Sequence, residues 1–329
     1  MGTTTVIPDM DPTRPADVDP PRLLDAVDQW EIDQAFGSPA LWTQVGRYAI
    51  DQGRRAKSLR RVFSAGAPVS PRVLQWVRQL IAEEGQVFTP YGATEALPVA
   101  SIESREVLGE TAEQCARGAG TCVGRRFAGI QWKVIAIDDG PLESIDQVRE
   151  LQTGEIGELM VRGDVVSKSY VTRTDQNSLH KVQDGDTFWH RMGDVGYLDE
   201  QDRFWCCGRK SHRVRTGTSE IYTEPCEAIF NNHPHIHRAA LVGVGEPGQQ
   251  LPVIVAEPWP EHAPADSLGR EQLEAQLRGL GKEHATTQAI ERMLIYPGRL
   301  PTDIRHNSKI FREQLAPWAT KQLEQRRGT

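Results

Sequence analysis

The stretch LRRVFSAGAPVSPRVLQWVRQLIAEEGQVFTPYGATE, residues 59–95, decides the fold. Residues 59–63 read as a strand that runs into the small residues 64–68. Ser70-Pro71 follows, an N-cap with Pro at the first helical position, where its missing N–H costs nothing. The helix is expected to run to about residue 84, Gly85 ends it, and 86–89 read as the next strand. Strand–helix–strand alternation implies a layered α/β unit around a parallel sheet.

On the N-terminal side, 3–7 is a β-branched run expected as a strand, and 8–21 is a loop dense in Pro and Asp. Leu23, Leu24, Ala26, Val27 and Trp30 stand close to helical spacing over 22–30, with Trp30 expected in the core. A short segment at 32–36 leads to Ser38-Pro39, which repeats the cap and starts a helix to about 51, closed at Gly53. After about 117 the texture changes. Short strands broken by turns are expected at 131–137, 158–162, 194–199 and 203–207, the last two as a hairpin. A mixed unit follows: helix 224–231, strands 239–244 and 252–257, helix 267–282, strand 293–296 and a helix near 310–325. The fold class is therefore α/β in three parts: a partial layered α/β unit at 1–116, a mostly antiparallel β unit at 117–208, and an α+β unit at 209–329.

Composition narrows the function classes. The 329 residues carry 38 basic and 45 acidic side chains, a net charge of −7, which argues against a nucleic-acid partner. No apolar run approaches the roughly 18 residues of a membrane span. Five cysteines, an odd count with no C-x-x-C, suit reduced thiols and a cytoplasmic setting. Met1-Gly2 is followed at position 6 by Val6, outside the myristoylation pattern.

Four short sequences carry the chemistry. Tyr91-Gly92-Ala93-Thr94-Glu95 follows a strand and suits a nucleotide: an aromatic for a base, a hydroxyl for a phosphate oxygen, a carboxylate for Mg²⁺. It equally reads as a turn whose Thr caps a short helix. Ala65, Gly66 and Ala67 let backbone approach a flat ligand, or form a plain strand-to-helix turn. Asp194, within Gly193-Asp194-Val195-Gly196, can accept from two ribose hydroxyls, or make an Asx-turn. Arg209, in Gly208-Arg209-Lys210-Ser211, can reach a ribose or phosphate, or simply mark a boundary.

In this order and spacing the four together resemble the AMP-forming adenylating superfamily of acyl- and aryl-CoA synthetases, peptide-synthetase adenylation domains and luciferases. GEIGELMVRG at 154–163 looks like its G-E-L-x-V-x-G segment, and Pro301 ahead of Lys309-Ile310-Phe311-Arg312 looks like its catalytic-lysine motif. The resemblance implies ATP and AMP as ligands, with Tyr91 packed on adenine beside Ala65–Ala67 and Gly92. It implies Thr94 and Glu95 at the phosphates and Mg²⁺, and Asp194 and Arg209 at the ribose. Lys309 would bridge the carboxylate and α-phosphate oxygens, offsetting the repulsion of two anions. Ser211 aligns with the hinge of a mobile C-terminal lid. Ser38 and Trp42 fall in a segment that lines the acyl site, although Trp42 also suits a core face.

Ser308 before Lys309, the hinge sequence from Gly208, and Ile221–Glu227 look like the olefin β-lactone synthetase branch. That branch implies a long-chain β-hydroxy acid, activated as its adenylate and closed by its own hydroxyl, and other olefin-pathway enzymes as partners. An ordinary fatty acyl-CoA or acyl-carrier ligase is the alternative, as is a nucleotide-binding fragment without catalysis. The superfamily's phosphate loop, ending Pro-Lys-Gly, has no counterpart here; 118–124 lacks a Lys, and Gly279–Lys282 ends a charged helix. The chain is thus expected to be an N-terminally shortened member, impaired or inactive as an enzyme by itself, and apolar surface bared along 3–36 and 59–89 is expected to drive self-association. His306 is placed to orient the lysine loop. His233-x-His235-x-His237 reads as a helix-to-strand connection ahead of a metal cluster, His190 as packing, and Glu224 and Glu227 as a solvated helix face.

Overall fold

The computed structural model describes residues 2–303 and 309–327. Its strands in chain order are β1 (Gln34–Gly37), β2 (Arg61–Ser64), β3 (Gln86–Ala93), β4 (Ala96–Glu103), β5 (Thr121–Arg126), β6 (Gln131–Ile135), β7 (Gly157–Arg162), β8 (Lys181–Asp184), β9 (Thr187–Leu198) and β10 (Arg203–Arg209). These ten form one sheet in the order β1-β2-β3-β4-β5-β10-β9-β7-β6, with β8 paired to β9. The β1, β2 and β3 pairings are parallel. From β3 onward the neighbours are antiparallel, so the layered part and the β-rich part share one hydrogen-bonded sheet through β4 and β5.

Helices of two turns or more are α1 (Pro20–Gln29), α2 (Pro39–Gln52), α3 (Pro71–Leu80), α4 (Thr223–Asn231), α5 (Ser267–Lys282) and α6 (Arg312–Arg327). Local chemistry sets their ends. Ser38 and Ser70 accept from the N–H of Leu41 and Val73, at 3.3 and 3.4 Å, and each cap contributes about 1 kcal/mol. Gly53 closes α2 at φ 62°, a left-handed position that suits Gly. Helix α3 stops at Leu80, short of the expected 84, because Ile81 turns extended and the N–H of Ala82 bonds to Leu59 O. Residues 3–7 form no strand: a β-branched run needs a partner edge, and β1 pairs only with β2 among the described residues. Leu24, Trp42, Val45, Leu74 and Val77 pack onto Val62, Val87 and Trp205 of the sheet in one core. Trp30 lies outside it, 60% exposed at the end of α1. Helical spacing identifies a face but not whether anything covers it.

Beyond β10 the short pair β11 (Val214–Arg215) and β12 (Glu220–Ile221) precedes a three-stranded sheet of β13 (Ile236–Val244), β14 (Leu251–Pro258) and β15 (Arg292–Ile295). Ile254 and Ala256 of β14 face α4 and α5, while Val253 and Val255 face Leu315 and Ala319 of α6. Burial on both faces explains why β14 reads as an unbroken apolar run. Glu224 and Glu227 on α4 are not on a solvated face. Glu227 is 7% exposed, accepts from the N–H of Leu241 at 2.8 Å and pairs with Arg312; Glu224 accepts from Thr121 Oγ1 at 3.0 Å. Ser308 and His306 lie outside the described residues. Among the described residues no helix is long and apolar enough to cross a membrane.

One ion pair sits inside the β-rich part. Arg191 on β9 and Glu158 on β7, both 0% exposed, meet at 2.6 and 3.0 Å, and the guanidinium also donates to the carbonyls of Asp138, Gly140 and Leu179. Without Arg191 the buried Glu158 would keep Lys210, 3.1 Å away, as its remaining cation, and the carbonyls of Gly140 and Leu179 would lose this donor. Arg191→Met is expected to cost about 3 kcal/mol of stability, read as a lower urea midpoint. A midpoint within error of the parent chain would show that the pair is not a structural anchor.

Candidate functional site

Three strands converge on one carboxylate. Tyr91 near the end of β3 donates its hydroxyl to Asp194 Oδ2 at 2.5 Å. Arg209 of β10 donates from Nη1 to Asp194 Oδ1 at 3.0 Å and to Met192 O at 3.0 Å. Asp194 and Arg209 are cross-strand partners, beside a register shift at Gly208. Gly208 holds φ 122°, and a Cβ there would lie 2.2 Å from Thr223 Oγ1, so this bulge requires glycine. Each carboxylate oxygen thus holds one protein donor, and lone pairs remain for further donors.

Burial raises the pKa of Asp194, opposed by the Arg209 charge and the Tyr91 hydrogen bond. Burial, followed by the Asp194 charge, pushes the Tyr91 phenol up, keeping it a neutral donor. The Asp194 charge raises Arg209. The Arg209 side chain is 49% exposed against 12% for Asp194, so the site opens on the guanidinium side.

The turn beyond Tyr91 is a hairpin, not the start of a helix. Ala93 pairs with Ala96, leaving Thr94 and Glu95 as the turn, and a Cβ on Gly92 would meet Ala96 O at 2.6 Å. Thr94 is exposed and Glu95 half-buried. Tyr170 donates to Glu95 Oε1 at 3.0 Å, and Ser167 N donates to Glu95 O at 2.7 Å. Although burial opposes it, the Glu95 pKa is lowered by its own backbone N–H, by Tyr170, and by charge at His190 and Arg209. An ionised carboxylate is a hard oxygen donor of the kind Mg²⁺ takes, together with nucleotide phosphates.

Ala65, Gly66 and Ala67 follow β2 at the C-terminal end of the parallel strands, where open α/β sheets bind ligands. The β2–β3 pairing ends with Phe63 opposite Phe88, just before this loop and before Tyr91 on the neighbouring strand. Ser38 is engaged in capping α2. Trp42 is 3% exposed in the core beside Gly37, and its Nε1 has no hydrogen-bond partner among the described residues.

Ser211 lies in a single turn, Lys210–His212, between β10 and β11. Lys309 is exposed, and its N–H donates to Asp303 Oδ1 at 2.9 Å. Burial first, then the charges of Arg312 and Arg209, hold the His212 pKa down at about 4; Glu313 opposes the shift and Lys309 adds to it. Lys309 and Arg209 therefore act on the same imidazole. His233 and His235 meet edge to face at 5.3 Å, while His237 turns to Glu257 at 2.8 Å, so the three do not converge. Among the described residues no three His, Cys, Asp or Glu side chains could hold a metal ion as a group. His190 is buried, with Nδ1 against His180 O at 3.2 Å. Tyr170 and Lys181 escaped the sequence reading, since nothing local marks either residue.

The family profile described as AMP-binding enzyme matches residues 1–171. Olefin beta-lactone synthetase of Xanthomonas campestris pv. campestris is 46% identical over 98% of this chain and 57% of its own length. The protein of that name from Stenotrophomonas maltophilia is 44% identical over 99% of this chain and 58% of its own length. The chain thus spans a little over half the length of the curated relatives it matches. In fold it is similar to the amide bond synthetase McbA from Marinactinospora thermotolerans, with a TM-score of 0.71 and 22% identity over 92% of this chain and 55% of that one.

Glu224 links α4 to β5 beside this site. Burial and then the neighbouring Glu227 push its pKa up to about 7 from an ordinary 4.5. The folded state then holds a proton that the unfolded state releases, so this group's contribution to stability is full below about pH 4.5 and lost as pH rises through about 7. Glu224→Gln is expected to gain stability relative to the parent between pH 5 and pH 8, measured as urea midpoints. A difference that is constant with pH would contradict the shift.

Proposed function

The chain belongs to the AMP-binding enzyme family, and on that premise we propose that it serves ATP-dependent adenylation of a long-chain β-hydroxy acid followed by closure to a β-lactone. In the first step the substrate carboxylate oxygen bonds to the α-phosphorus of ATP and pyrophosphate leaves. In the second, the β-hydroxyl oxygen attacks the acyl carbonyl carbon, its proton passes to solvent, and AMP leaves. An intramolecular nucleophile needs no coenzyme A and gains from proximity. The reading is supported by 46% and 44% identity to two olefin beta-lactone synthetases along almost the whole chain.

The observation that carries the nucleotide assignment is Asp194, with one donor on each oxygen and an open side toward Arg209. In this reading Asp194 and Arg209 bind the ribose, and Tyr91 lies against adenine with Ala65, Gly66, Ala67 and Gly92. Thr94 and Glu95 serve the phosphates. A Mg²⁺ held by Glu95 would neutralise phosphate charge. Lys309 supplies the cation between substrate carboxylate and α-phosphate, carried by a C-terminal unit that turns about Ser211. Ser38 and Trp42 stand at the acyl end.

Ile7, Trp30 and Phe36, 86%, 60% and 73% exposed, support self-association through the α1–β1 edge, and the same face suits other enzymes of olefin synthesis. Five free cysteines fit a cytoplasmic setting.

The reaction is tested by ATP–pyrophosphate exchange with a β-hydroxy fatty acid and by mass detection of β-lactone without coenzyme A. Exchange and lactone formation are expected to run below the rate of a longer chain that also carries the phosphate loop, and Lys309→Ala is expected to slow exchange further, by about 10²–10³-fold. Product that requires coenzyme A would instead establish an ordinary acyl ligase.

A further inference from the structure

Resting on the reading of Glu95 as the Mg²⁺ carboxylate, we infer that Tyr170 is a positioning residue for that carboxylate, set in place by the segment from Val166 to Lys181. Glu95 occupies a hairpin turn, where a side chain has few neighbours of its own to hold its rotamer. Here the turn is clamped from outside. Val166 bridges Ala96, Ser167 N donates to Glu95 O at 2.7 Å, and the Tyr170 hydroxyl donates to Glu95 Oε1 at 3.0 Å. One segment therefore fixes both the backbone and the carboxylate of the same residue.

The clamp has its own supports. Asn177 Oδ1 accepts from Tyr170 N at 2.8 Å, holding the tyrosine backbone. Lys181 at the start of β8 donates to the carbonyl of Ser167, and to its hydroxyl at 3.4 Å. The Lys181 ammonium lies over the Tyr170 and Phe188 rings, 5.8 and 5.2 Å from their centroids. The Tyr170 ring meets His180 edge to face at 5.9 Å. Packing around the ring and hydrogen bonds along the backbone leave the phenol pointed at one oxygen of Glu95. The hydroxyl also leaves Oε2 to face a cation, since a carboxylate with one oxygen engaged presents the other.

The arrangement gives Tyr170 a role that ordinary packing would not have. Its hydroxyl should matter for nucleotide bound with Mg²⁺ and not for nucleotide bound without it. The test is titration calorimetry of ATP against the chain, in Mg²⁺ and in EDTA, for the parent, Tyr170→Phe, Asn177→Ala and Glu95→Gln. The parent is expected to bind more tightly with Mg²⁺, and Glu95→Gln to lose that increment. Tyr170→Phe is expected to lose about tenfold in affinity in Mg²⁺, the scale of a hydrogen bond to a charged group, with its affinity in EDTA unchanged. Asn177→Ala should show a smaller loss of the same kind, a second line if Tyr170→Phe folds poorly. Tyr170→Phe with the full parental Mg²⁺ increment, while Glu95→Gln loses it, would overturn the positioning role and leave the Glu95 reading standing. No increment in the parent would overturn both.

Discussion

The interaction on which the rest of the site depends is the shared carboxylate of Asp194. A buried carboxylate needs partners to stay in place, and its partners here come from two other strands, Tyr91 of β3 and Arg209 of β10. Those strands lie on opposite sides of the β4–β5 junction, so the carboxylate ties the parallel and antiparallel parts of the sheet together at one point. The glycine bulge at Gly208 sets Arg209 opposite Asp194, and Gly92 allows the tight hairpin that follows Tyr91. The proposed nucleotide contacts and the sheet architecture thereby draw on the same residues.

A second network governs how the C-terminal unit meets that sheet. The loop Asp138–Gly140 receives Arg191 and Lys210 on its carbonyls, and Arg213 and Arg215 on the Asp139 carboxylate at 2.8 and 2.9 Å. Lys210 also reaches Glu158 at 3.1 Å. The turn Lys210–His212 and the residues that follow it are therefore tied by charged contacts to one loop. Asp139 is half-exposed, while Arg213 and Lys210, which meet this loop and Glu158, are largely buried. Glu224, half-buried against Thr121, adds a titratable contact between α4 and β5.

Much of this was legible in the sequence where the chemistry is local. Ser38-Pro39 and Ser70-Pro71 announce α2 and α3 because a cap acts within three residues of itself. The four short motifs single out Tyr91, Glu95, Asp194 and Arg209, though not their mutual contacts, and Asp194 lies inside the long strand β9 and not at a strand end. Tyr91 and Asp194 are 103 residues apart, and Glu95 and Tyr170 are 75 apart. Such pairings follow from sheet order, which single-strand patterns do not specify. The same limit explains the misread charges. Glu224 and Glu227 look solvated on a helix face because Thr121 and Arg312, which hold them, lie far away in sequence. Residues 3–7 look like a strand because β-propensity says nothing about whether an edge is available.

Asp194 is proposed as the ribose end of an AMP site. A crystal structure of the chain grown with AMP tests this most directly. Both ribose hydroxyls are expected within about 2.5–3.2 Å of Asp194 or Arg209, with adenine between Tyr91 and the Ala65–Ala67 loop. AMP bound elsewhere, with Asp194 still satisfied by Tyr91 and Arg209 alone, would contradict it.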